Sequence, residues 1–364
     1  MSDNREFLEW LFAEGRILVQ QGRLFDEQPA PLSAGLDWDR VDGMLLGLAI
    51  GDALGNTTES MLPERRLAAC GEIRDYVPHH RYRPVASPSD DTQLAFWTLA
   101  QLLQDGGLVP ERVAQRFARE QIFGGGSAVK DALHWVRLGD TPWYECGAPS
   151  AGNGALMRIA PMLVPFVRSP SPDLWADAAL SAIITHNDAV STSACLAWVA
   201  MLWDLLAMDA APEPDWWRRR YAAVAHDLEG DTTCRPRGGR FVGLRGPLWW
   251  FVDERLADAW ERALSVRAAC DEWHSGAYLL ETVPSVMYIL MRHGADPEEA
   301  IVRAVSDTQD NDTTAAIVGA AVGALHGASG LPERWVAGLP GRTRADDDGE
   351  VQRILATARE RWGP

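Results

Sequence analysis

Glycine recurs at every fourth position in two apolar stretches of this chain: Gly43, Gly47, Gly51 and Gly55 in the first, and Gly319, Gly323 and Gly327, preceded by Ala315, in the second. Positions four apart share one face of a helix. Each glycine inside a helix costs about 1 kcal/mol relative to alanine, so such a stripe implies that another backbone comes closer than a side chain would allow. The two helices are expected to cross inside the core and to bring distant helix ends together. From Asp37 onward apolar spacing is helical nearly everywhere and alternating strand-like runs are scarce. The expected class is all-α, a compact multi-helix orthogonal bundle.

Composition narrows the function classes. Of 364 residues 47% are hydrophobic and 16 are Trp, which excludes a disordered or fibrous chain. A formal charge of -17 argues against general nucleic-acid binding, because such a surface repels phosphate backbones. The cysteines (Cys70, Cys146, Cys195, Cys234, Cys270) are odd in number and never form a CxxC pair, so neither a disulfide framework nor a zinc ribbon is indicated. The acidic N-terminus does not read as a secretory signal, and no apolar run is expected to reach the ~18 residues of a membrane span. A cytoplasmic location and no membrane partner are expected.

Residues 5–24 place Phe7, Leu8, Leu11 and Phe12 on one helical face, ahead of a polar stretch around Pro29 and Pro31. Residues 1–36 thus read as an appended helix and linker, and 37–364 as one main unit. Two insertions are expected. One spans 209–217 with Trp216 and Trp217; the other spans 231–247 and places Arg235, Arg237, Arg240 and Arg245 in a Gly/Pro-rich loop. That loop is either a solvated surface or an attractor of phosphate or acidic groups.

Chemistry concentrates at two helix starts. Ser89-Asp90-Asp91-Thr92 precedes one apolar helix, where taken alone it is an ordinary N-cap. Asp310-Asn311-Asp312-Thr313 repeats the arrangement before the glycine-striped last helix. Four carboxylates gathered in one cleft would repel one another, and a buried unpaired carboxylate is prohibitively unfavourable. A divalent cation resolves the conflict. The donors are all hard oxygens, which favours Mg²⁺ or Mn²⁺, with Ca²⁺ also open, and the donor count suits two ions.

Five motifs in order, Gly51-Asp52-Ala53-Leu54-Gly55 followed by Glu59, Ser89-Asp90-Asp91-Thr92, Gly152-Asn153-Gly154-Ala155-Leu156-Met157-Arg158, Thr185-His186-Asn187-Asp188 and Asp310-x-Asp312-Thr313, resemble the ADP-ribosylglycohydrolase family over roughly residues 37 to 330. The resemblance implies a binuclear Mg²⁺ or Mn²⁺ centre in a central cleft and an enzyme that removes ADP-ribose from modified protein side chains, arginine foremost. It implies Ser89, Asp90, Asp91, Asp310, Asp312 and Thr313 as metal ligands, Glu59, Asp91 and Asp310 as the catalytic groups, and Gly152, Asn153, Gly154 and His186 against the ADP-ribose. For the turn the residues agree, since glycines flanking Asn let backbone amides approach an anion. The chain departs from the family pattern at Thr308-Gln309, where a Gly-Gly pair is common, and at Ser89, where Thr is usual. The resemblance also reaches immunity proteins, so the alternative is a protein that blocks an ADP-ribosylating toxin through residues 1–36.

Overall fold

The computed structural model describes residues 3–32, 36–59, 61–78, 87–345, 347 and 349–363. These form sixteen α-helices with short 3₁₀ turns and no β-strand, so the all-α class stands. Glycine spacing sets the centre. The helices Trp38–Gly55 and Asn311–His326 lie antiparallel, backbone on backbone. A Cβ on Gly43 would overlap the carbonyl of Gly323, one on Gly47 that of Gly319, one on Gly51 that of Ala315, and one on Gly55 the Asp312 backbone. The close approach expected from the stripes is therefore present, as a contact over four successive turns instead of a single crossing point.

The helix Ala189–Ala207 packs into the core beside this pair, with Trp198 and Trp203 buried. It corrects the expectation about apolar length: its 19 residues are long and apolar enough to cross a membrane, yet 89% of its apolar window is buried inside the protein. A helix that is apolar all round is one the core surrounds. The second correction concerns residues 209–217. Trp216 and Trp217 lie inside the helix Pro214–Glu229, which Pro214 opens as a first-turn proline, and Trp217 is buried.

The N-terminal helix, Asp3–Ala13, buries Leu8 and Leu11, and the chain after it follows the body closely. Asn4 Nδ2 donates to Asp177 Oδ1 at 2.7 Å, Gln20 N to Leu228 O at 2.8 Å, and the indoles of Trp175 and Trp203 donate to the carbonyls of Glu27 and Ala30 at 2.8 Å each. In the 231–247 loop, Arg237 is tied to the fully buried Glu281 by its backbone N (2.8 Å), Nε (3.1 Å) and NH2 (2.8 Å). Arg240 donates to Glu272 at 3.0 Å. All four loop arginines stay exposed, and two of them, Arg237 and Arg240, are tied down at their head groups, so the loop is a solvated surface pinned at two points.

Candidate active site

The glycine seam ends where the chemistry begins. Because Gly55 rests on the Asp312 backbone, the last turn of one helix meets the first turn of the other. Asp52, one turn before that end, is wholly buried and reaches across to the start of the helix Asp90–Asp105. Its two oxygens accept from Ser89 N at 2.9 Å each, and one accepts from Thr92 N (3.0 Å) and Thr92 Oγ1 (2.5 Å). Asp52 thus satisfies helix-start amides. The Ser89 hydroxyl meets Asp91 Oδ2 at 3.1 Å, and Thr313 Oγ1, from the other helix start, meets the same oxygen at 3.3 Å.

Two acidic groups converge here. Oxygens of Asp52, Asp91 and Asp312 lie within 4.8 Å of one another, as do those of Glu59, Asp310 and Asp312. Among the described residues none of these carboxylates, nor Asp90, has an ion-pair partner within 4.0 Å, and Asp91 Oδ1 is buried without any hydrogen-bond partner. Burial and the neighbouring Asp52, Asp90 and Asp310 push Asp91 well above the usual carboxylate range. Burial and Glu59 do the same to Asp312. Asp90 is pushed up to about 7 by burial, against a Gly125 amide that favours its charge, and Asp310 to about 6 by burial, opposed by Asn153. An orphaned buried oxygen amid uncompensated hard donors fits a divalent cation.

The metal-ligating, catalytic and substrate-binding candidates are drawn together here. Glu59, Asp90, Asp91, Asp310, Asp312 and Thr313 line a cleft of about 350 Å³ together with Gly152, Asn153, Gly154 and His186; Ser89 lies behind, on Asp91. Asn153 does something the sequence did not suggest. Its Nδ2 donates to Asp310 Oδ2 at 2.6 Å and to Thr282 Oγ1 at 3.0 Å, so it orients an acid. The flanking glycines pack on the imidazole: a Cβ on Gly152 would stand 3.2 Å from His186 Nε2, and one on Gly154 2.9 Å from Cε1. Burial, helped by the Arg158 charge, lowers His186 to about 3, so the ring is neutral.

Lys130 was missed. It lines the cleft and its charge opposes the upward shift that burial gives Glu59. The signal was available, because Lys130 is the only lysine in the chain. Asp52 lies within the Gly51–Gly55 motif, and only the fold shows that it holds the start of the helix Asp90–Asp105. The Thr308-Gln309 departure has a local explanation. Buried Arg66 donates to the carbonyls of Val305 (2.9 Å) and Thr308 (2.8 Å) on one side and Met61 (2.9 Å) on the other. Gln309 N and Asp310 N donate to Ser275 Oγ and O at 3.2 and 3.0 Å. Side-chain and backbone bonds hold this loop without the glycine pair.

The family model for ADP-ribosylglycohydrolase matches residues 33–364. The chain belongs to the ADP-ribosylglycohydrolase family. Within that family it is 28% identical over 311 residues to the ADP-ribosylarginine hydrolase Tri1 of Pseudomonas putida (strain GB-1), covering 82% of this chain and 73% of the relative. It is 25% identical over 335 residues to the ADP-ribosyl-[dinitrogen reductase] glycohydrolase of Rhodospirillum rubrum, covering 88% and 97%. A solved structure titled ADP-ribosylglycohydrolase-related protein complex superimposes with a TM-score of 0.63 at 25% identity, over 90% of this chain and 98% of that one.

Proposed function

We propose that this chain hydrolyses the bond between ADP-ribose and a modified protein side chain, with arginine as the attachment residue, and that two Mg²⁺ or Mn²⁺ ions serve the reaction. The observation that carries the reading is the buried Asp91 Oδ1 without a partner, set among five further carboxylates that have no ion-pair partner within 4.0 Å among the described residues. Ser89, Asp90, Asp91, Asp310, Asp312 and Thr313 would hold the ions. When bound, such ions orient ribose hydroxyls and lower the pKa of a water.

The remaining work falls to the chain. Asn153 keeps Asp310 in one orientation, and the Gly152–Gly154 turn leaves room for the ligand beside His186. Glu59 stands at the cleft edge, open to solvent on one side, and partial desolvation by the surrounding chain raises its carboxyl in spite of Lys130, which suits a group that exchanges a proton as the glycosidic bond breaks. Hydrolysis adds water oxygen to the anomeric carbon while the leaving guanidine nitrogen takes the proton. Arginine is favoured by the relative named for that linkage and by the acidic edge at Glu59 and Asp310.

Incubation with arginine-linked and serine-linked ADP-ribosyl peptides, with and without chelator, tests the proposal. Release of ADP-ribose from the arginine peptide, abolished by chelator, is expected; release that chelator leaves untouched would sink the metal reading. The toxin-blocking reading of residues 1–36 is the weaker one, since Leu8 and Leu11 dock on the body and leave Trp10 and Leu18 as the exposed large apolar side chains among the described residues of the segment. The five free cysteines support a reducing, cytoplasmic setting.

A further inference from the structure

Arg158 is fully buried, yet no carboxylate lies within ion-pair distance of it among the described residues. Its guanidinium sits over the Phe117 ring, 5.2 Å from the centroid. NH2 donates to Ser181 O at 2.9 Å and to Thr185 Oγ1 at 2.8 Å, and NH1 to Ser181 Oγ at 3.2 Å. Ser181 lies in the last turn of the helix Asp173–Ile183, so the cation rests against a carbonyl end where positive charge is favoured. That explains why a buried arginine is tolerated. It does not explain why the guanidinium also engages Thr185.

Thr185 Oγ1 lies 3.0 Å from His186 Nδ1. A hydroxyl has one hydrogen to give. With its oxygen accepting from Arg158, that hydrogen is free for Nδ1, its other neighbour. We propose that Arg158 and Thr185 are positioning residues: a relay from guanidinium to hydroxyl to imidazole that leaves Nδ1 without a hydrogen and aims an Nε2–H donor, backed by an uncompensated positive charge, at the anionic part of the ligand. Nε2 faces the Gly152–Gly154 turn in the cleft. The neutral imidazole ring can donate from one nitrogen only, so the relay decides whether the cleft receives a donor or an acceptor. The identity of the anion as the diphosphate of ADP-ribose rests on the function proposed above; the tautomer does not.

Two-bond ¹H–¹⁵N spectra of the uniformly labelled full chain read the tautomer directly. Loss of one signal in His186→Gln assigns His186 among the eight histidines. Wild type is expected to show a bare Nδ1 and a protonated Nε2. In Thr185→Val the two tautomers mix and the Kd for ADP-ribose, by calorimetry, rises about tenfold; Thr185→Ser restores both. An arginine that only caps its helix predicts a wild-type His186 spectrum in Thr185→Val, and that result, or a wild-type ring protonated on Nδ1, overturns the relay. The wild-type spectrum decides alone should Thr185→Val fail to fold. A wild-type ring with the expected tautomer but no affinity for ADP-ribose sustains the relay and overturns the diphosphate assignment.

Discussion

Asp91 illustrates a residue whose folding and function oppose each other. Its carboxylate is buried beside Asp52, Asp90 and Asp310, so without a cation it disfavours the folded state. Asp91→Asn is expected to raise metal-free stability by on the order of 1 kcal/mol while abolishing Mg²⁺ and Mn²⁺ binding; chemical denaturation in chelator and calorimetry measure the two halves. The pH dependence has a definite sign. Asp90 and Asp310 titrate at about 7 and about 6 when folded, against 3.8 ordinarily. Their folded forms hold protons that the unfolded forms release, so their contribution to stability is complete below about pH 4 and is lost as pH rises through 6 to 7. In chelator, thermal melts of wild type should fall over that interval more steeply than those of Asp90→Asn, and equal slopes would contradict the burial assigned to Asp90. Lys130→Met should lower kcat/KM for the arginine-linked peptide about tenfold with an unchanged melting temperature. The two oxygen tetrads were legible because each is contiguous and sits at a helix start. Lys130 stands out in the sequence only as the single lysine; its role, like that of Asp52, comes from what faces it, Glu59 in one case and the Ser89 and Thr92 amides in the other.

The glycine stripes announced a close contact through their period, but not its orientation. Four glycines on one helix meeting three glycines and an alanine on another are compatible with a point crossing or with a long antiparallel seam; the register of carbonyls against Cα atoms, which no period encodes, selects the seam. Gly47→Ala should therefore cost about 3 kcal/mol or more, because the new methyl meets backbone that cannot rotate away. Gly107→Ala, with nothing within 4 Å, is the matched control, and denaturant midpoints compare the two. The loop before Asp310 was less legible. Its support from Arg66 and Ser275 involves residues far away in sequence, and the missing Gly-Gly pair alone gave no hint of that replacement.

Across the whole molecule, the N-terminal segment contributes apolar side chains to the common core instead of hanging from it. Leu8, Leu11, Ile17, Val19, Leu24 and Phe25 are all buried, and the stretch around Pro29 and Pro31, expected to be a linker, follows the body at Glu27 and Ala30, with 33–35 outside the described residues. Removing residues 1–32 is expected to lower stability by several kcal/mol and to leave the preference for arginine-linked substrate unchanged; urea unfolding and peptide turnover check these separately, and unaltered stability would show that the segment's packing is idle. The helical face of residues 5–24 was readable from its spacing. The partner surface was not, since it is assembled from Asp177, Asn187 and Leu228 on three different segments. A chain of 364 residues with a single lysine, and that one inside the cleft, has a practical corollary. Reagents that couple to primary amines have, besides the α-amine, only one place to attach, so an amine-reactive dye or resin becomes a reporter of cleft occupancy, slowed by any ligand that fills the space around Lys130.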